Sequence, residues 1–225
     1  MNDRPLVVAI DGPAGTGKST VARRIAAELG VPYLDTGAMY RALALRALER
    51  GVDPDDRAAV ACLAAETRIE LRLDERGRAE VLLDGAAVEP RIRTPEVAAA
   101  TSRLAVHPEV RERMVTLQRE QARRFGGVVE GRDIGSRVLP DAPHKFFLRA
   151  APEVRVRRRL AELREGDPAI SEADVARELA ERDARDLRRT HSPLIAAADA
   201  VEVDTTERSI DEVVASLLAA IGPPG

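Results

Sequence analysis

The stretch from Leu6 to Gly30 constrains this chain more than any other. It opens with Leu6-Val7-Val8-Ala9-Ile10, an unbroken apolar run rich in β-branched residues. It passes through Asp11-Gly12-Pro13-Ala14-Gly15-Thr16-Gly17-Lys18-Ser19-Thr20 and continues with Val21, Ile25 and Leu29 at i, i+4 and i+8, before Gly30. The first part has the pattern of a buried parallel strand, the last that of an amphipathic helix stopped by glycine. Between them, Gly12–Ser19 satisfies G-x-x-x-x-G-K-[ST] with a strand before it and a helix after it, the context that gives the pattern its meaning. Glycines let successive backbone N–H groups curl round an anion, and the helix N-terminus adds positive partial charge. Gly12, Pro13, Ala14, Gly15, Thr16, Gly17, Lys18, Ser19 and Thr20 are therefore candidates for holding the phosphates of ATP. Lys18 is expected on the β- and γ-phosphates and the Ser19 hydroxyl on Mg²⁺.

The rest of the chain predicts the setting of this loop. Val31–Leu34, Val128–Val129, Lys145–Leu148 and Ala200–Val203 read as further short strands. Helices are expected over Ala38–Arg50, Ala105–Arg124 and Pro152–Leu163, with two more opening at Ser171 and Ser209 on capping-box patterns. Alternating strands and helices predict an α/β fold with a five-stranded parallel sheet flanked by helices, of the P-loop NTPase type. Ile69–Leu73 and Glu80–Leu83 flank the turn residues Asp74-Glu75-Arg76-Gly77, the signal of a β-hairpin inserted in that alternation.

Composition narrows the function. With 35 basic and 38 acidic residues the formal charge is −3, against a nucleic-acid polymer as partner. Five aromatic residues without a Trp give no base-stacking platform. Cys62 stands alone and the three His are scattered, so neither a disulfide nor a Cys-based zinc site is expected. No apolar run is long enough to span a membrane and no signal-peptide pattern is seen, so a soluble, cytoplasmic monomer is expected. The absence of N-K-x-D argues against a GTPase. The third strand runs into Glu130-Gly131-Arg132-Asp133, which departs from the apolar strand ending in Asp that a large ATPase motor carries.

Further stretches carry a resemblance. They are Ala9–Thr20, Leu34–Arg41 (LDTGAMYR), Ile92–Val97 (IRTPEV), Gly131–Gly135 (GRDIG), Pro140–Leu148 (PDAPHKFFL) and Glu181–Leu194 (ERDARDLRRTHSPL). In this order and composition the chain resembles the bacterial cytidylate kinases, ATP-dependent nucleoside monophosphate kinases; Arg149 departs from their pattern. The resemblance implies a single domain with a core of about 1–36, 104–154 and 190–225. It also implies a small β-containing monophosphate-binding insert of about 37–103 and a lid of about 155–189. It places Thr36, Tyr40 and Arg41 in the acceptor pocket, with Arg41 and Arg132 on the acceptor phosphate. Ser102, Arg111 and Asp133 become candidate readers of cytosine. Arg182, Asp186 and Arg189 become ribose and phosphate contacts, and Arg158 a lid arginine on the ATP phosphates. Lys18, Arg132, Arg158 and Arg182 are thereby the catalytic candidates, and CMP or dCMP the acceptor.

The chemistry of these residue types is consistent with such roles. A carboxylate such as Asp133 can accept from the exocyclic amine of cytosine, while Arg111 donates to its O2 or N3. Arg182, Arg185, Asp186 and Arg189 share one helical face, although a solvated, salt-bridged surface has the same spacing. Asp11 can orient the loop or assist a metal. Two other readings stay open: a kinase for another small acceptor such as UMP, AMP or shikimate, and a non-catalytic nucleotide-binding protein.

Overall fold

Val8 and Ile10 face one side of a sheet and Ala9 the other, and all three are fully buried. Burial on both faces explains why their strand, β1 (Val7–Asp11), is uniformly apolar. The computed structural model describes residues 5–74, 79–166, 168–189 and 193–222. In it β1 is the centre of a five-stranded parallel sheet with β2 (Tyr33–Asp35), β6 (Gly127–Glu130), β7 (His144–Arg149) and β8 (Val201–Asp204), in the order β2-β6-β1-β7-β8.

Helices cover both faces. Helices α1 (Lys18–Leu29) and α8 (Ile210–Ile221) close one side, where Val21, Ile25, Val213 and Leu217 pack on Val8, Ile10, Val128 and Phe146. On the other side α2 (Thr36–Glu49) and α5 (Pro108–Phe125) bring Met39, Leu43 and Met114 against Ala9, Leu34 and Val129. Gly30 ends α1 in the left-handed conformation, and Ser209 and Glu212 close a full capping box on α8. Ser171 caps the Asp174 N–H, but its hydroxyl turns to the Asp174 carboxylate, so the reciprocal half of a capping box is not made. No helix of the described residues is long and apolar enough to cross a membrane.

The hairpin is present as β3 (Ile69–Leu73) and β4 (Ala79–Leu83), antiparallel with Leu71 opposite Val81. A two-residue strand, β5 (Ala86–Ala87), extends it. Turn residues 75–77 lie outside the described residues. Ile69, Leu71, Val81 and Leu83 join the core that includes α2. Two helices were not anticipated, α3 (Arg57–Glu66) and α4 (Pro95–Leu104), each N-capped by a side chain, Asp56 and Thr94. The helix expected over 105–124 is also corrected, since α4 ends at Leu104 and α5 begins at Pro108. Proline at that position disfavours helix in His107 and starts a new helix instead. Finally, α6 (Pro152–Arg164) and α7 (Glu172–Arg188) pack together through Leu160, Val175 and Leu179, with Ala14 of the glycine-rich loop against them.

Candidate functional site

In an open parallel sheet ligands bind beyond the carboxyl ends of the strands. Here β1 runs into the glycine-rich loop, β2 into Asp35 and α2, and β6 into Glu130-Gly131-Arg132-Asp133. The loop is pressed tightly into place. A Cβ on Gly12, at φ +140°, would lie 2.1 Å from the Leu148 carbonyl oxygen. One on Gly15 would lie 2.8 Å from that of Arg155. Only glycine allows β7 and α6 to approach the loop so closely.

A cavity of about 400 Å³ opens over this edge. Within the loop, Ala14, Gly15, Gly17, Lys18, Ser19 and Thr20 face it, whereas Gly12, Pro13 and Thr16 support it from outside. Thr36, Tyr40, Arg41, Ser102, Arg111, Arg132, Asp133, Arg182, Asp186 and Arg189 all line the same space. Arg158 does not. Its guanidinium donates to the Thr205 hydroxyl (3.0 Å) and carbonyl (2.7 Å), and the α6 arginine facing the cavity is Arg159.

One region of this cavity is strongly cationic. Lys18 is buried and its ammonium donates to the Pro13 carbonyl at 2.7 Å. Burial, reinforced by Arg132, pushes that ammonium down to about 7. Burial, again with Arg132 nearby, pushes the Arg182 guanidinium down to about 10. The Arg182 side chain has no hydrogen bond or ion pair among the described residues. Asp186 is the local counter-charge. Burial alone would raise its carboxyl, but Arg189, Arg132 and Arg182 hold it below its ordinary value. It accepts from Arg132 at 3.3 Å and pairs with Arg189. Cations that depress one another in a buried space form a site for a multiply charged anion.

A second region is built round a buried pair. Arg111 donates to Asp133 at 2.5 Å, and both side chains are almost wholly enclosed. The Arg111 guanidinium also lies over the Tyr40 ring, 5.8 Å from its centroid. Ser102 accepts from Arg185 Nε at 3.0 Å. Tyr40 Oη and the Nε atoms of Arg41, Arg111 and Arg189 are buried with no protein partner. Orphaned donors of this kind are rare in folded proteins and suit a polar ligand.

Several lining residues were not anticipated. Asp35 caps α2 at the Ala38 N–H and accepts from Arg41 (2.6 Å) and Arg93 (3.0 Å). Arg93 itself faces the cavity. Glu130 accepts from the Ser19 hydroxyl at 2.9 Å and from the Tyr33 hydroxyl at 2.5 Å. Its place at the end of a strand beside β1 is the sequence signal for it, although Glu stands there rather than Asp. Among the described residues no group of three or more His, Cys, Asp or Glu could hold a metal unaided. The Ser19 hydroxyl and Glu130 carboxylate do fit a hard cation that brings most of its oxygen ligands on phosphates and water.

The profile of the family described as Cytidylate kinase matches residues 8–222. A cytidylate kinase of Solibacter usitatus is 50% identical over 215 residues, covering 95% of this chain and 90% of the relative. One of Pelotomaculum thermopropionicum is 48% identical over 221 residues, covering 98% and 97%. One of Geobacillus kaustophilus is 49% identical over 216 residues, covering 96% of each.

Proposed function

Since the chain belongs to the cytidylate kinase family, we propose that it transfers the γ-phosphoryl group of ATP to CMP or dCMP, giving ADP and CDP or dCDP. The observation that carries this reading is one cavity holding both regions. Mutually repelling cations stand beside the phosphate loop, and a buried arginine–carboxylate pair with orphaned donors around it stands in the same space.

The acceptor phosphate is itself the nucleophile. With a second pKa near about 6 it is largely dianionic at neutral pH, so no general base is needed. The task of the protein is alignment and charge neutralisation. The backbone N–H groups of the phosphate loop and Lys18 hold the donor phosphates. Arg41 and Arg132 grip the acceptor phosphate, and Arg182 reaches the group in flight. The Ser19 hydroxyl, with Glu130 behind it, would hold Mg²⁺, which would supply positive charge to offset that of the donor phosphates. Asp133 and Arg111 read cytosine, with Ser102 and Thr36 completing the pocket. Asp186 and Arg189 take the ribose, and Tyr40 forms the wall.

Residues 37–103 serve as the monophosphate-binding part and residues 155–189 as the lid. Closing them excludes water, which at about 55 M is the competing nucleophile. In the lid, Arg159 and Arg182 face the phosphates directly. Arg158 would have to leave Thr205 to do so.

Lys18→Ala tests whether the loop serves chemistry. The ADP-forming rate with CMP should fall by about three orders of magnitude while the melting temperature holds. An unchanged rate would mean that the cavity binds nucleotides without transferring phosphate.

A further inference from the structure

Asp11 is the last residue of β1, just ahead of the phosphate loop, yet it does not face the cavity. Its carboxylate is buried and turns the other way. One oxygen accepts from the Ile134 N–H at 2.8 Å and the other from the Gly135 N–H at 2.7 Å. These two amides open a π-helical turn, Ile134–Val138, and would otherwise be unsatisfied donors inside the protein. Asp133 immediately precedes them in a non-helical conformation, φ −145° and ψ 28°. Two further bonds join the same segments, from the Gly131 N–H to the Ile10 carbonyl (3.0 Å) and from Arg132 Nη1 to the Gly12 carbonyl (3.0 Å).

We propose that Asp11 is a positioning residue for acceptor selectivity: it fixes the direction of the Asp133 carboxylate by clamping the turn that follows it onto the phosphate strand. This rests on the base-reading role given to Asp133 above. The physical reason is specific to a carboxylate. Only a side chain with two acceptor oxygens and no donor can take both N–H groups at once. Asparagine keeps the shape but sets an NH₂ donor against one of the amides. Alanine leaves both amides unpaired. Burial pushes the Asp11 carboxyl up to about 7, with Asp133 adding to the rise and the two amides and Lys18 opposing it. The two N–H bonds favour the ionised form against that burial.

Asp11→Asn tests this by separating the two substrates. CMP affinity, measured calorimetrically, should fall about tenfold, the loss expected for a buried charge-assisted hydrogen bond. The ratio of CMP to UMP affinity should fall with it, while affinity for a non-hydrolysable ATP analogue changes by less than about twofold. Asp11→Ala should deepen the loss in the same order. Equal losses for CMP and the ATP analogue, or an unchanged CMP to UMP ratio, would overturn the proposal and leave Asp11 as a general scaffold. A wild-type chain that does not prefer CMP to UMP would instead remove the cytidylate reading on which the proposal stands. Hydrogen exchange on the wild-type chain supplies an arm that needs no variant. The Ile134 and Gly135 amides should exchange as slowly as those of β1 and β6, and exchange at the rate of an open loop would contradict the clamp.

Discussion

Lys18 carries the least comfortable charge in the cavity. It is buried beside Arg132 and Arg182, and a backbone carbonyl is its hydrogen-bond partner. Its ammonium is held down to about 7 before any nucleotide arrives, so at pH 8 the side chain is mostly neutral. Donor phosphates restore the charged form, because an opposite charge at close range favours ionisation. Nucleotide binding at pH 8 should therefore take up about one proton per site, and progressively less as pH falls below 7. Titration of an ATP analogue in buffers of differing ionisation heat measures that uptake directly. A binding heat independent of buffer would show that Lys18 keeps its proton throughout. The same scale separates the other 34 basic residues, all arginine but Lys145. Lys145 is structural, its buried ammonium holding the Pro140 carbonyl and Asp199. Many of the arginines form exposed ion pairs, such as Arg57 with Glu109 and Arg103 with Asp53 and Asp55. Such pairs contribute little to stability.

The strand, phosphate loop and helix were legible from residue type alone, because glycine, lysine and β-branched residues each have one local reason to stand where they do. What escaped reading depends on pieces remote in the chain. Glu130 matters to Ser19 because β6 pairs beside β1, and strand order is not written in either segment. Arg158 and Arg159 differ by one step of a helix, about 100° of rotation, and a run of arginines does not say which one faces inward. The helix expected over 105–124 starts three residues later, at Pro108, because proline sets a helix start that apolar periodicity does not mark. Element packing also predicts a contrast between glycines. Gly12→Ala sets a Cβ against the Leu148 carbonyl. It should cost about 3 kcal/mol or more, or block folding. Gly30→Ala, with φ +64° and nothing within 4 Å, should cost only about 1 kcal/mol. Denaturant midpoints of the two variants decide it, and equal shifts would contradict the close packing of β7 on the loop.

Across the whole molecule, a formal charge of −3 conceals a local cationic site. Acidic residues elsewhere balance it, so a near-neutral total leaves room for a local site suited to small phosphorylated ligands. All ten residues expected round the acceptor converge on one cavity from four separate stretches of chain. Their roles are chemical proposals, and selectivity tests them together. A carboxylate set to accept from an exocyclic amine meets a carbonyl when the base is uracil, leaving buried acceptors opposed. The decisive measurement is kcat/KM for CMP, dCMP, UMP and AMP with saturating ATP and Mg²⁺. CMP or dCMP should exceed both UMP and AMP by about a hundredfold or more, and UMP or AMP turning over as fast as CMP would contradict the account.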